Sequence, residues 1–202
     1  MQLLHKNKIQ ELLNSEDSNS LFIDPILEEH QLGEVTFDLR LGYDFQVSVL
    51  TRKPYIQLQK QQDICNRGVA TYFQETRRGF GEKFVLYPGQ TVISTSLEYI
   101  SLPSNVYADF LTRSSYNRLG IVLNTMIQPG FRGCFPVELH NQGNNAIELV
   151  VGSRIFQARF FEIDGDTEYL TKGRKYYGNI RPTISRADKD VDLEILSNIS
   201  KV

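Results

Sequence analysis

KFVLYPGQTVISTSLEYISLP, residues 83 to 103, decides the fold class. It is rich in Val, Ile, Thr and Tyr, and it is broken by Pro88-Gly89 before the pattern resumes. Such composition suits a pleated, half-buried surface, and Pro and Gly interrupt it where the chain must turn. The same texture recurs on both sides. VTFDLRLG (35–42) and YDFQVSVL (43–50) precede it, and GCFPVELHN (133–141) and NAIELVVGSRIFQARFFEI (145–163) follow. No alternation of strands with helices of βαβ length appears. Many short strands at close spacing, with one or two brief helices, predict an all-β, mainly antiparallel sandwich or barrel of the jelly-roll type.

Outside these runs, Asn7 and Gln10 are spaced to cap a helix reciprocally, and Ile9, Leu12 and Leu13 then share a face. This spacing predicts a short amphipathic helix over 7–14, ended by SEDSNS. From Asp164 the strand pattern is lost. The segment EYLTKGRKYYGNIRP (168–182) is basic and tyrosine-rich, and the last residues are acidic. A β domain over 1–163, including the N-terminal helix, and a tail over 164–202 that floats or closes over a site are expected.

With 202 residues the chain is long enough for one well-buried core. Its 22 Lys and Arg nearly balance 24 Asp and Glu, so no global field attracts polymeric nucleic acid or an anionic membrane. MQLLHKNKIQELL is too polar for a secretion signal, and no apolar run reaches a membrane span, which points to a soluble cytoplasmic protein. Cys65 and Cys134 lack a CxxC spacing, and His5, His30 and His140 stand far apart without an HExxH or HxE pattern. A zinc site is not expected.

Two stretches carry chemistry. RSSYNRLG (113–120) gathers two arginines, two serines and an asparagine before a glycine. If it opens a helix, Ser114 and Ser115 sit among unpaired backbone N–H groups, and Ser114 and Arg118 lie one turn apart, with Arg113 on the other flank. The bland alternative is a serine cap with solvated arginines. Lys172, Arg174 and Lys175 form a second basic cluster suited to the same anion. In GCFPVELHN, period-two alternation sets Phe135, Val137 and Leu139 on one face and Pro136, Glu138 and His140 on the other. Pro136 cannot donate to a ladder, so its strand lies at an edge, a bulge or a cleft wall. Glu138 reads as either an ordinary solvated glutamate or a site residue.

The order of these motifs resembles the dCTP deaminase family of the dUTPase-like superfamily over nearly the whole chain. VTFDLRLGYDF resembles its Asp-x-Arg-Leu-Gly strand, and LYPGQTVISTSLEYISLP its Pro-Gly hairpin. RSSYNRLG resembles its Arg-Ser-Ser-x-x-Arg-x-Gly signature, PGFRGCFPVELHNQG its glycine turn and glutamate strand, and KYYGNIRPTISR its C-terminal Lys-Tyr and Ser-Arg segment. The resemblance implies zinc-independent hydrolysis of dCTP to dUTP and ammonia, with Glu138 as general base and Ser114 and Arg118 placing the water and the tetrahedral centre. It implies that Arg113, Ser115, Tyr169, Lys175 and Asn179 hold the triphosphate, with Asn124 and Thr125 against the base. Magnesium would be bound through the triphosphate, dTTP is a candidate inhibitor, and sites would be shared between subunits of a homotrimer.

Two departures from the family pattern bear on activity. Where dUTP-hydrolysing relatives carry an Ile-Asp, this chain reads MIQPGFRG, and the Gln128 amide cannot act as a carboxylate base. Weak or absent pyrophosphatase activity is expected. The loop GIVLNTMIQP (120–129) is about three residues shorter than the deaminase loop that holds the pyrimidine. Tyr72, Phe73, Tyr176 and Tyr177 cover a base, pack the core or simply lie on the surface. The rival readings are a dUTP diphosphatase and a non-catalytic nucleotide-sensing module of the same fold.

Overall fold

The computed structural model describes residues 1–52, 55, 56, 58, 69–167 and 178–199. Before the quoted stretch come β1 (Gln2–Leu3), α1 (Lys6–Leu13), β2 (Phe22–Asp24), β3 (Phe37–Arg40), β4 (Asp44–Ser48) and β5 (Phe73–Arg77). The stretch itself supplies β6 (Lys83–Leu86) and β7 (Thr91–Ser101), separated by the Pro-Gly turn. There follow β8 (Val106–Thr112), α2 (Ser114–Asn117), β9 (Ile121–Val122), β10 (Asn124–Ile127), β11 (Arg132–Asn141), β12 (Ile147–Val150), β13 (Arg154–Glu162) and α3 (Val191–Ile199).

The expected all-β, antiparallel architecture is what these strands build. One sheet runs β1-β13-β8-β10, with β3 also paired to β13; the second runs β5-β4-β7-β11-β9, with β2 also paired to β7. β12 and β6 form a separate two-stranded ladder. All pairings between these strands are antiparallel. The apolar face of each sheet turns inward, and aromatic rings join the layers. Phe110 of β8 meets Phe135 of β11 edge-on with ring centres 4.9 Å apart, and Phe45 of β4 stacks on Phe84 of β6 at 4.3 Å. All four side chains are buried, each contributing roughly 1.5–3 kcal/mol of burial free energy. Among the described residues no helix is long and apolar enough to cross a membrane.

α1 starts at Lys6, one residue earlier than the sequence predicts. His5 is its N-cap, with extended dihedrals and no side-chain cap bond, so the reciprocal cap between Asn7 and Gln10 is not formed. The entry is fixed by the backbone instead, with Lys6 N–H donating to Glu34 O at 2.7 Å. The predicted apolar face is correct: Ile9 is fully buried, and Leu12 and Leu13 pack against the core.

β3 and β7 meet through a carboxylate. Glu98, fully buried on β7, accepts the Arg40 backbone N–H at 2.9 and 3.2 Å and Gln31 Nε2 at 3.0 Å. Gln31 Nε2 also donates to Asp38 O at 3.1 Å, and its Oε1 accepts the amides of Leu27 and Glu28 at 2.9 and 3.2 Å. The Arg40 guanidinium donates to Gly152 O at 2.7 Å and pairs with Glu28 at 3.3 Å. These bonds satisfy groups that would otherwise be costly to bury.

Burial pushes the Glu98 carboxyl up from 4.5 to about 7, against the opposing effect of the Arg40 amide bond. The native state therefore holds this proton more tightly than the unfolded chain. Glu98 favours the fold less as pH rises from the unfolded value to about 7, by on the order of 1.4 kcal/mol for each pH unit crossed. Thermal unfolding of Glu98→Gln and parent from about pH 5 to 8 tests this. The variant is expected to gain on the parent as pH rises; a pH-independent difference contradicts the assignment.

Candidate active site

RSSYNRLG does open a helix. Arg113 is the N-cap, with φ −59°, ψ 144° and no side-chain cap bond, so Ser114 and Ser115 occupy the first helical positions and neither serine serves as the cap. Arg118 N–H donates to Ser114 O at 3.1 Å, which sets the two residues one turn apart, as the spacing requires. Ser114, Ser115 and Arg118 are exposed. The turn closes at Gly120, whose N–H donates to Asn117 O at 2.9 Å and whose O accepts Gln142 N–H at 2.8 Å. β9 follows immediately and pairs with β11 at His140↔Val122 and Asn141↔Ile121. The serine helix is thereby tied to the C-terminal half of β11.

Glu138 lies in that half. Phe135, Val137 and Leu139 are fully buried, while Glu138 on the opposite face is exposed in the single chain, as the alternation requires. Pro136 adjoins a register shift between Cys134 and Pro136 in the β11–β7 ladder, so of the three placements its missing N–H allows, the bulge is the one found. Thr125 Oγ1, on β10, donates to Glu138 Oε2 at 2.8 Å. This bond engages the Thr125 hydroxyl and leaves its backbone, the part expected to meet a base, out of the contact. Asn124 stands at the start of β10, opposite Leu111 of β8. An open cavity of about 340 Å³ bounded by Leu13, Phe22, Tyr99 and Arg132 takes in none of the nominated residues.

The Arg113 guanidinium is turned toward β3 and β13. Its Nε lies 3.3 Å from Asp38 Oδ2, and one terminal nitrogen donates to Arg154 O at 3.2 Å. Of the tail, Asn179 accepts Cys134 N–H at 3.0 Å through its backbone carbonyl, and Gly178 N–H donates to Arg132 O at 3.0 Å. Residues 178 and 179 thus lie along β11, short of Glu138. Tyr169 and Lys175 lie outside the described residues, as do Lys172, Arg174, Tyr176 and Tyr177. Tyr72 is buried with its hydroxyl donating to Tyr55 O at 3.0 Å, which makes it a packing residue.

The family model described as dCTP deaminase-like matches residues 3–163. The chain belongs to the dCTP deaminase-like family. It is 30% identical over 201 residues to the "dCTP deaminase, dUMP-forming" of Methanobrevibacter smithii, covering 96% of this chain and 100% of that protein. The dCTP deaminase of Natronomonas pharaonis is 33% identical over 186 residues, covering 86% and 90% respectively. The crystal structure of the 2'-deoxycytidine 5'-triphosphate deaminase of Agrobacterium tumefaciens superposes with a TM-score of 0.57 at 23% identity, over 78% of this chain and 47% of that one. That likeness concerns the fold.

In this dCTP deaminase-like chain two contacts were not legible as site features. Asp38 sits in a strand whose four residues are all buried, and a carboxylate in such a run demands a cationic partner, but the sequence does not say which. The Thr125–Glu138 bond joins strands that lie in different sheets, and no local period reports it.

Gly120 fixes how α2 meets the turn beyond β11. Its φ is +96°, and a Cβ there would lie 2.5 Å from Gly143 N. Both the dihedral and the close approach exclude a side chain. Gly120→Ala is expected to cost about 1–3 kcal/mol of stability in chemical denaturation. An unchanged midpoint contradicts this placement.

Proposed function

We propose that this chain hydrolytically deaminates dCTP to dUTP and ammonia, with Glu138 as general base. The observation that carries the reading is the Thr125–Glu138 bond of 2.8 Å, which fixes one carboxylate oxygen and leaves the other open to a water. Glu138 takes a proton from that water as its oxygen attacks C4 of cytosine. Glu138 delivers that proton to N3 of the ring, which makes C4 electrophilic toward the attack. It then moves the proton of the new C4 hydroxyl to the exocyclic amine, so that the C4–N bond breaks with release of ammonia and the C4 carbonyl of uracil forms. Ser114 and Arg118 orient the water and stabilise the tetrahedral centre; a guanidinium and helix-terminal N–H groups suit developing negative charge. Proton transfer of this kind contributes roughly 10²–10⁴ in rate, and orientation supplies much of the rest.

The triphosphate is assigned to Arg113, Ser115, Tyr169, Lys175 and Asn179, and the base to the backbone of Asn124 and Thr125. Magnesium enters as part of the substrate, on the triphosphate. Among the described residues no group of three or more His, Cys, Asp or Glu is placed to hold a metal. An exposed carboxylate is a weak base in bulk water and a useful one when partly desolvated. The exposure of Glu138, Ser114 and Arg118 in the single chain therefore favours sites completed by a neighbouring subunit, as in a homotrimer. The tail from 164 onward is assigned to closure over the phosphates.

A second reading has a specific observation behind it: the Methanobrevibacter smithii relative is named dUMP-forming, which adds release of pyrophosphate. Gln128, with no carboxylate, argues for dUTP as the product here. Incubation with magnesium and dCTP, following ammonia and pyrophosphate together, separates the readings. Ammonia without pyrophosphate is expected, and Glu138→Gln is expected to lose at least ~10² in kcat. Equal release of both products assigns the dUMP-forming reaction. No ammonia above the Glu138→Gln level refutes the enzyme and leaves a nucleotide-binding module.

The same geometry sets the role of Thr125. Thr125→Val removes the donor to Glu138 while keeping volume, and a loss of about tenfold in kcat with little change in KM is expected. Thr125→Ser retains most of the activity. Full activity in the valine variant contradicts the positioning role of the hydroxyl.

A further inference from the structure

We infer that Asp38 is a positioning residue for the triphosphate clamp: the aspartate of FDLR, on β3, aims Arg113 of the RSS stretch. Two motifs that lie 75 positions apart in sequence meet here as one device. The inference rests on the reading of Arg113 as a phosphate ligand, proposed above.

Arg113 is fixed at both its backbone and its guanidinium. β13 carries a register shift between Arg154 and Phe156 in its ladder with β3, and at that irregularity Ile155 O accepts Arg113 N–H at 2.8 Å. The neighbouring carbonyl, Arg154 O, takes one terminal guanidinium nitrogen at 3.2 Å, while Nε faces Asp38 Oδ2 at 3.3 Å. Two sides of the planar fork are thereby occupied. No hydrogen bond to a described residue is made by the remaining nitrogen, Nη2. The side chain is about one-third exposed (34%), so the fork has an open side. A guanidinium held in this way binds an anion without first losing rotamer freedom.

Asp38 is itself immobilised. The residue is 8% exposed, and its Oδ1 accepts Gln157 Nε2 at 3.0 Å. Arg154 Nη1 lies 3.9 Å from Oδ2, but it is also drawn toward Glu28 at 3.7 Å and donates to His30 O at 3.3 Å. Arg113 is therefore the nearer cation to Asp38. The carboxylate does not touch the nucleotide; it acts through Arg113.

The test is a double-mutant cycle on nucleotide affinity, made in full-length Glu138→Gln protein so that dCTP is not consumed. Calorimetry with magnesium and dCTP is run on the parent, Asp38→Asn, Arg113→Gln and the double variant. Each single change is expected to weaken dCTP binding about tenfold, and the double variant to be no weaker than the poorer single one, because both remove the same positioned group. Unchanged affinity in Arg113→Gln overturns the phosphate reading of Arg113. Weakening in Arg113→Gln with Asp38→Asn unchanged, or losses that simply add, overturns the positioning role alone. Thermal unfolding run alongside identifies a merely structural Asp38, whose loss lowers the Tm without changing dCTP affinity. Should Asp38→Asn not fold, Gln157→Met frees Oδ1 instead. It is expected to weaken dCTP binding severalfold, but not when Arg113 is already Gln, and an effect independent of Arg113 overturns the proposal.

Discussion

A buried carboxylate between two sheets constrains this molecule. Glu98 is fully buried, so its oxygens must be met by the backbone of β3 and by Gln31. Meeting that demand fixes β3 against β7 and directs the Arg40 amide at Glu98. It also sets the register in which Asp38 stands opposite Gln157 on β13. The irregularity in β13 beside that register presents Ile155 O to Arg113. One electrostatic requirement in the interior is thus transmitted through strand register to the start of the serine helix.

The candidate site inherits its precision from the sheets while lying at their margin. β11 offers Glu138 from the face opposite the core, β10 brings Thr125 to it, and β9 ties the serine helix to the end of the same strand. The strands set these positions, and Glu138, Ser114 and Arg118 remain exposed in the single chain. An arrangement of fixed but uncovered groups suits a site finished by another surface. This is why a shared site between subunits is the natural completion of the proposal.

The strand pattern was legible because period-two burial leaves a direct trace in composition: the alternation around Glu138 and the turn at Pro88-Gly89 both translate into coordinates. The one-turn relation of Ser114 and Arg118 was legible for the same reason, since it follows from helical geometry once a helix begins there. The cap of α1 was not, because a backbone bond to Glu34 replaced the side-chain cap that Asn7 and Gln10 offered. The partner of Arg113 was hidden by distance along the chain. Charge pairing between β3 and the RSS stretch depends on strand order, which local sequence does not encode. Gln128 was legible as chemistry, since an amide and a carboxylate differ in any fold.

The most direct test of the account is an experimental structure of the assembled protein with magnesium and dCTP, using Glu138→Gln to hold the substrate. The account predicts residue 138 and Ser114 converging on C4 of the cytosine, with Arg118 beside them and Arg113 on the triphosphate. A nucleotide bound elsewhere, with position 138 left open to solvent in the assembly, would contradict it.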